Sequence, residues 1–186
     1  IVAIGGNSTM VQGTHRGQGE LALSLERMSM IEEIDTESRT MTVQAGAKLQ
    51  DVQEAAAKSG FFYPLDIGAR GSATVGGNIA TNAGGNRVIR YGMTREQIVA
   101  LEAVLADGTI IPMQGKALKN NTGYDLKHLF ISSEGTLGIV TKAVLRLRTL
   151  PVSQCCGWVS VPDFESLTKL LTFVEGSSEG MLSSFE

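Results

Sequence analysis

The sequence has one tryptophan, two cysteines and two histidines in 186 residues, and each scarcity closes a route. Cys155 and Cys156 are adjacent, and bonding them would strain the backbone, so there is no disulfide framework. They are expected to be small, buried apolar residues of a reducing, intracellular chain. His15 and His128 have no His, Cys or carboxylate partners at metal-ligand spacing. A surface or capping role is expected for each, and no metal site. The net charge of −3, without any basic run, gives nucleic acid no electrostatic footprint. No apolar stretch approaches the roughly 18 residues of a membrane span, and no signal-peptide pattern is visible.

Two nucleotide signatures are also missing. No G-x-x-x-x-G-K-[ST] occurs, so there is no P-loop. "GQGELA" at 17–22 matches G-x-G-x-x-A, but its glycines precede the alternating stretch "LALSL". A dinucleotide fingerprint follows a strand and opens a helix, so the context is wrong for a Rossmann site.

What the sequence has in excess is glycine, 22 residues in all, of which seven lie between Gly68 and Gly92. Hydrophobic content of 42% and charge of 19% otherwise fit a globular chain of one domain, or one and a fraction. Two clusters stand out: "GGNSTM" at 5–10 and "GGNIATNAGG" at 76–85. Glycine lets the backbone turn with positive φ and lets a ligand approach without Cβ. Successive N–H groups can then point at a phosphate, helped by a following helix start. Asn, Ser and Thr add donors at little bulk. One such cluster reads equally well as a surface loop; two in a small chain point to a phosphate-bearing ligand.

The periodicity places these clusters among short elements. Ile1–Ile4 reads as the end of a buried strand, and 21–25 and 40–46 alternate like strands. Over 48–60 the period becomes helical, with Leu49, Val52 and Ala56 on one face and Gly60 as the stop. Residues 64–97 show little regular pattern and read as a long functional loop. "IVALEAVLADGTIIPM" predicts two strands around an Asp107-Gly108 hairpin turn. A short helix is expected over 124–130, and a strong strand from Gly138 to Pro151. "GWVSV" predicts another short strand, and Pro162-Asp163 opens a helix with Phe164, Leu167, Leu170, Leu171 and Val174 on one face. Met28, Met30, Met41 and Met113 are expected to fill core.

"GGNSTMVQG", "PLDIGARGSATVGGNIATNAGG", "RYG", "LADGT", "NNTGYDLKHLF" and "SEGTLGIVTKAVLRL" occur in this order and spacing. Together they resemble the FAD-binding domain of the vanillyl-alcohol-oxidase/p-cresol-methylhydroxylase superfamily. The likeness is greatest to its FAD-linked D-2-hydroxyacid dehydrogenases, the group that includes the D-2-hydroxyglutarate and D-lactate dehydrogenases and the glycolate oxidase flavin subunit. It runs from Ile4 to Glu186. The implied fold is α+β. The implied domains are a FAD-binding domain over 1–152, truncated before its first βαβ portion, and the start of a substrate domain over 153–186.

The resemblance also implies roles. Gly5, Gly6, Asn7, Ser8, Thr9 and Met10 match the loop around the FAD pyrophosphate. Gly71, Ser72, Gly76, Gly77, Asn78, Thr81, Asn82 and Ala83 would lie along the diphosphate, ribityl chain and isoalloxazine. Pro64 and Leu65 would border the flavin, and Gly138, Ile139 and Val140 would approach the adenosine end. Two positions depart from the pattern: Thr9 and Gln12 stand where the family loop has glycine. In relatives with covalent flavin a His takes the place of Asn7, which cannot form that bond, so FAD is expected to be noncovalent.

The implied reaction is hydride transfer from a 2-hydroxyacid to FAD, with electrons passed to an electron-transfer flavoprotein or quinone. The full-length protein could be a homodimer in the bacterial cytoplasm or, in a eukaryote, the mitochondrial matrix. The catalytic base and metal site would lie outside this chain, which alone is expected to be inactive. Asp66, Asp125 and Glu134 are expected to brace loops, and Lys116 and Lys119 to be solvated. The alternatives are a noncatalytic FAD- or nucleotide-binding module, or another oxidase of the superfamily; an aldonolactone oxidase is disfavoured by "NNTGYDLKHLF" and Asn7.

Overall fold

The structure is a computed structural model and describes residues 1–11, 13–113 and 115–186. Its scaffold is a five-stranded antiparallel sheet in the order β3-β4-β8-β6-β7. The strands are β3 (Ile31–Asp35), β4 (Thr40–Gln44), β6 (Ile98–Val104), β7 (Ile110–Ile111) and β8 (Ile139–Arg146). The pair β1 (Val2–Ile4) and β2 (Ala22–Ser24) is parallel, and β5 (Phe61–Phe62) pairs with β9 (Arg148–Thr149). Strand β3 was not foreseen, because "IEEID" carries two central glutamates that mask its pattern.

Strand β4 lies inside the sheet, between β3 and β8, and its alternation does not mean one wet face. Thr40 and Thr42 are as buried as Met41 and Val43, and the Thr42 hydroxyl has no hydrogen-bond partner among the described residues. Helix α1 (Leu49–Lys58) buries Leu49, Val52 and Ala56, as its spacing predicts. Gly60 follows its last turn, donating its N–H to Ala57. Met41, Val43, Leu49, Val52, Ile79, Ala143 and Leu145 are all fully buried and form the centre of the core. Burial at roughly 1.5–3 kcal/mol per large apolar side chain makes this cluster the main source of stability.

The β1–β2 pair and α2 dock on one tight turn. Residues 45–47, Ala-Gly-Ala, link β4 to α1, and Ala45 and Ala47 are buried. Ala45 donates to Thr141 of β8, and Gly46 donates to Met28 beyond β2. Ala45 and Ala47 then accept from Gly76 and Val75, at 2.7 and 2.9 Å. A Cβ on Gly46 would stand 2.0 Å from the Leu25 carbonyl oxygen. Both glycine-rich segments are thereby tied to the sheet through three small residues.

Residues 64–97 are not one loop. They contain α2 (Val75–Ala80), α3 (Val88–Tyr91) and α4 (Thr94–Gln97), pinned by side chains instead of by apolar periodicity. Thr74 caps α2, accepting from Gly77. Arg87 pairs with Asp66 at 3.2 Å and lies over the Phe62 ring. Gln97, 1% exposed, donates to the Tyr91 carbonyl and accepts from Arg148.

The hairpin at Asp107-Gly108 and the strand β8 form as expected, and α5 (Lys127–Phe130) is shorter than the predicted 124–130. Beyond Leu150 the readings diverge. "GWVSV" forms no strand: Trp158 is 100% exposed, and the segment pairs with nothing. Helix α6 (Phe164–Ser177) starts at the Asp163 cap, but its apolar stripe is only half-buried and Phe164 is exposed. The two cysteines are exposed, not buried, because they fall in this same uncovered stretch. Of the four methionines only Met41 is fully buried; Met30 is 62% exposed.

Two predictions arise from this scaffold. Gly46→Ala forces a methyl onto the Leu25 carbonyl and is expected to destabilise the protein by about 1–3 kcal/mol. Gly157→Ala, with nothing within 4 Å of the added methyl, is the matched control, expected within about 0.5 kcal/mol of the parent; thermal denaturation reads both. The second concerns pH. The Lys142 ammonium, 2.9 Å away, holds the Glu32 carboxyl below its ordinary 4.5, partial burial opposing and Gln44 assisting. A depressed carboxylate stabilises above its unfolded value and loses that contribution as pH falls through the folded one. Glu32→Gln is therefore expected to cost at most about 1 kcal/mol at neutral pH, and parent and variant should converge as pH falls through the carboxyl's lowered range. Urea denaturation across that range measures it.

Candidate functional site

Strand β1 delivers the first glycine cluster directly against the second. Gly5 and Gly6 run beside Ser72–Gly77. A Cβ on Gly6 would stand 1.8 Å from the Ser72 carbonyl oxygen, and one on Gly5 2.4 Å from Thr74 Oγ1. Gly6 is required by the approach of one backbone to another, and Gly5 by the Thr74 side chain. The chain then turns through Asn7 in the left-handed region, φ 48°, with Asn7 Oδ1 accepting from the Thr14 hydroxyl. Thr9 accepts from the Val11 N–H, while Ser8 and Met10 are exposed. Among the described residues, none of the six backbone N–H groups from Gly5 to Met10 donates a hydrogen bond.

The second cluster behaves differently. The N–H groups of Val75 and Gly76 are committed to Ala47 and Ala45, and that of Gly77 to the Thr74 side chain. The helix start enlisted from the sequence to help hold a phosphate is therefore closed by the protein itself. Gly76 is small because a Cβ there would meet that of Ala45 at 2.8 Å. Thr81 donates to the Gly77 carbonyl; Asn82, with φ 47°, accepts from the Arg95 N–H. Asn78 is the exception. It is 4% exposed, and its Nδ2 has no partner among the described residues. A buried amide donor left unpaired costs about 1–3 kcal/mol, which a bound acceptor would remove. Gly71 and Ser72 are exposed, and Ala83 is half-buried beside the core.

A third segment, 132–135, joins them. Ser132 and Glu134 donate to the carbonyls of Ile79 and Ala80 at the end of α2. Their φ values of 72° and 50° are positive, as at Asn7 and Asn82. Four of the six positive-φ residues other than glycine among the described residues thus sit where three segments meet. Backbone strain of this kind concentrates at functional sites.

Other predicted positions serve the scaffold. Pro64 and Leu65 are buried, and the Leu65 carbonyl accepts from Gln53 of α1. Gly138 packs against Val104 and Phe130 where β8 begins, Ile139 pairs with Val104, and Val140 is core. Asp66 pairs with Arg87 and Asp125 with Lys127, while His128 Nε2 lies 3.3 Å from the Asp125 carboxylate; Lys116 pairs with Glu33. His15 is exposed. Gln12, one of the two departures from the family loop, lies outside the described residues. No group of three or more His, Cys, Asp or Glu side chains able to hold a metal occurs among the described residues. No described helix is long and apolar enough to cross a membrane.

The chemistry of this donor set suits a diphosphate-bearing group such as FAD. Neither 5–11 nor 71–83 contains an Asp or Glu, so no carboxylate in either segment repels an anion. The free N–H run and the orphaned Asn78 amide are both hydrogen-bond donors. Reading the sequence missed the residues that make this arrangement: the Ala45–Ala47 turn, Thr74 and Arg95. An Ala-Gly-Ala step between a strand and a helix was the available signal for the first.

Comparison with known proteins gives the family. The family described as "FAD binding domain" matches residues 1–114, and the chain belongs to that family. The chain is 44% identical over 186 residues to a D-2-hydroxyglutarate dehydrogenase of Xanthomonas citri pv. viticola, covering 100% of this chain and 39% of the relative. It is 46% identical over 187 residues to a probable mitochondrial D-2-hydroxyglutarate dehydrogenase of Oryza sativa subsp. indica, covering 100% and 33%. The chain therefore spans between a third and two fifths of the length of these relatives. Among solved structures, alkyldihydroxyacetonephosphate synthase superposes with a TM-score of 0.78 at 24% identity, over 95% of this chain and 32% of its own. That likeness shows the fold. The α+β FAD-binding architecture expected from the motifs is borne out, and the family's cofactor is FAD.

Gly6→Ala tests the joint between the clusters. The added methyl meets a backbone oxygen, so the loop must move away from Ser72. FAD affinity is expected to fall at least about tenfold, or about 1.4 kcal/mol, as read by quenching of flavin fluorescence. Gly68→Ala, which adds a methyl into open space, should leave affinity unchanged.

Proposed function

We propose that these residues form the FAD-binding part of a flavin-dependent oxidoreductase that dehydrogenates a D-2-hydroxyacid of the D-2-hydroxyglutarate or D-lactate type. The observation that carries the cofactor half of this reading is the run of N–H groups from Gly5 to Met10 without partners among the described residues, entered through Gly5 and Gly6 beside Ser72–Gly77. Identity of 38–46% to eight D-2-hydroxyglutarate dehydrogenases supports the substrate class.

In this reading Gly5–Met10 hold the diphosphate. Asn78 offers its free amide to the cofactor, while Gly71, Ser72, Gly76, Gly77, Thr81, Asn82 and Ala83 shape the channel for the ribityl chain and ring. Pro64 and Leu65 back the flavin from the core side, and Gly138–Val140 fix the strand beside the adenosine end. The chemistry FAD supplies when bound is two-electron redox, accepting a hydride from the substrate α-carbon. This chain's residues bind and orient it; the base that takes the hydroxyl proton is assigned to residues outside the chain. Electrons would leave to an electron-transfer flavoprotein or a quinone. The exposed stretch after Leu150 and the half-covered stripe of α6 support a boundary near residue 152, with 153–186 opening the substrate domain. Relatives from rice, Arabidopsis and cattle carry the word mitochondrial in their names, which supports the matrix as the compartment in a eukaryote and the cytoplasm in a bacterium.

The expected behaviour of the purified protein is one equivalent of bound FAD, released completely into the supernatant on acid precipitation because Asn7 provides no covalent attachment. Anaerobic D-2-hydroxyglutarate should leave the flavin absorbance of this chain unbleached. Retained yellow colour in the pellet would contradict noncovalent binding, and bleaching would place the base within these residues.

A further inference from the structure

Arg95 makes more inter-element hydrogen bonds than the FAD-binding reading uses. Its backbone N–H donates to Asn82 Oδ1 at 2.9 Å. Its guanidinium donates to the carbonyls of Ile131 and His128 at 2.9 and 3.2 Å and meets His128 Nδ1 at 3.1 Å. From Ile131 the chain passes to Ser132 and Glu134, which bond back to Ile79 and Ala80. A closed ring results, running from α2 through Asn82, Arg95, the end of α5 and residues 132–134 back to α2. Three of its members, Asn82, Ser132 and Glu134, have positive φ, and the ring holds them there.

We infer that Arg95 is a positioning residue for the cofactor, clamping α5 and residues 132–134 against α2 through the carbonyls of His128 and Ile131. This rests on the FAD-binding reading above. Arginine only donates, so His128 Nδ1 must accept, which leaves the ring proton on Nε2. There it faces Asp125 Oδ2 at 3.3 Å. The charged groups around His128 are Arg95 from α4, Asp125 just before α5 and Lys127, which pairs with the same carboxylate. The bonds to the carbonyls of His128 and Ile131 do not depend on the ring, so the guanidinium fork on these two oxygens carries the clamp.

The test measures FAD affinity by fluorescence and amide exchange of residues 127–134 in the FAD-free protein. Arg95→Lys, which cannot span both carbonyls, should bind FAD at least about tenfold more weakly, with the amides of 127–134 exchanging faster and those of α1 as protected as in the parent, a local pattern that lost folding would not produce. His128→Ala keeps both backbone carbonyls and should bind FAD and exchange like the parent. Parent-like affinity and exchange in Arg95→Lys overturn the role, as does a loss in His128→Ala as large as in Arg95→Lys. If the parent binds no FAD, the FAD-binding reading fails and this role fails with it. Normal binding by Arg95→Lys sinks only the role.

Discussion

The turn Ala45-Gly46-Ala47 is the constraint on which the arrangement rests. Its carbonyls accept from Val75 and Gly76, its Gly46 N–H reaches Met28, and Ala45 bonds to β8. Side chains larger than these would separate the β1–β2 pair and α2 from the sheet. Because both docked units meet here, Gly5 and Gly6 are delivered to Ser72–Gly77 at backbone contact distance. Register along β4 and β8 thus sets a distance between two loops that belong to neither strand.

The consequence is a division of labour between the glycine clusters. In the second, the backbone donors are spent on the scaffold, and glycine at 76 answers to Ala45. In the first, the backbone donors have no partner among the described residues. Donors in that state bind an anion without first breaking bonds to the protein. The ring through Arg95 extends the same logic to α5, holding strained backbone at 82, 132 and 134 by side-chain bonds in place of apolar packing.

Much of this was legible in the sequence. The helical face of Leu49, Val52 and Ala56, the Asp107-Gly108 hairpin and the strand into Pro151 follow from periodicity and turn chemistry, and the ordered motifs pointed to the FAD-binding family. Two kinds of feature were not legible. Short helices such as Val75–Ala80 are set by caps and cross-chain bonds, so they leave no periodic trace. Tertiary reasons for glycine look identical to ligand reasons in a sequence, which is why Gly76 read as a cofactor contact when its closest constraint is Ala45. Cys155 and Cys156 misled for another reason: small apolar side chains are buried only where a partner surface exists, and none covers that stretch among the described residues.

The central claim is that the free N–H groups of Gly5–Met10, and not those of the second cluster, receive the cofactor's phosphates. A backbone-amide NMR titration with FAD addresses it directly. The account predicts downfield shifts for amides in 5–10 on saturation, while those of Val75 and Gly76 remain slow to exchange with and without FAD, still bonded to Ala47 and Ala45. Shifts confined to 75–77, with 5–10 unmoved, would contradict it.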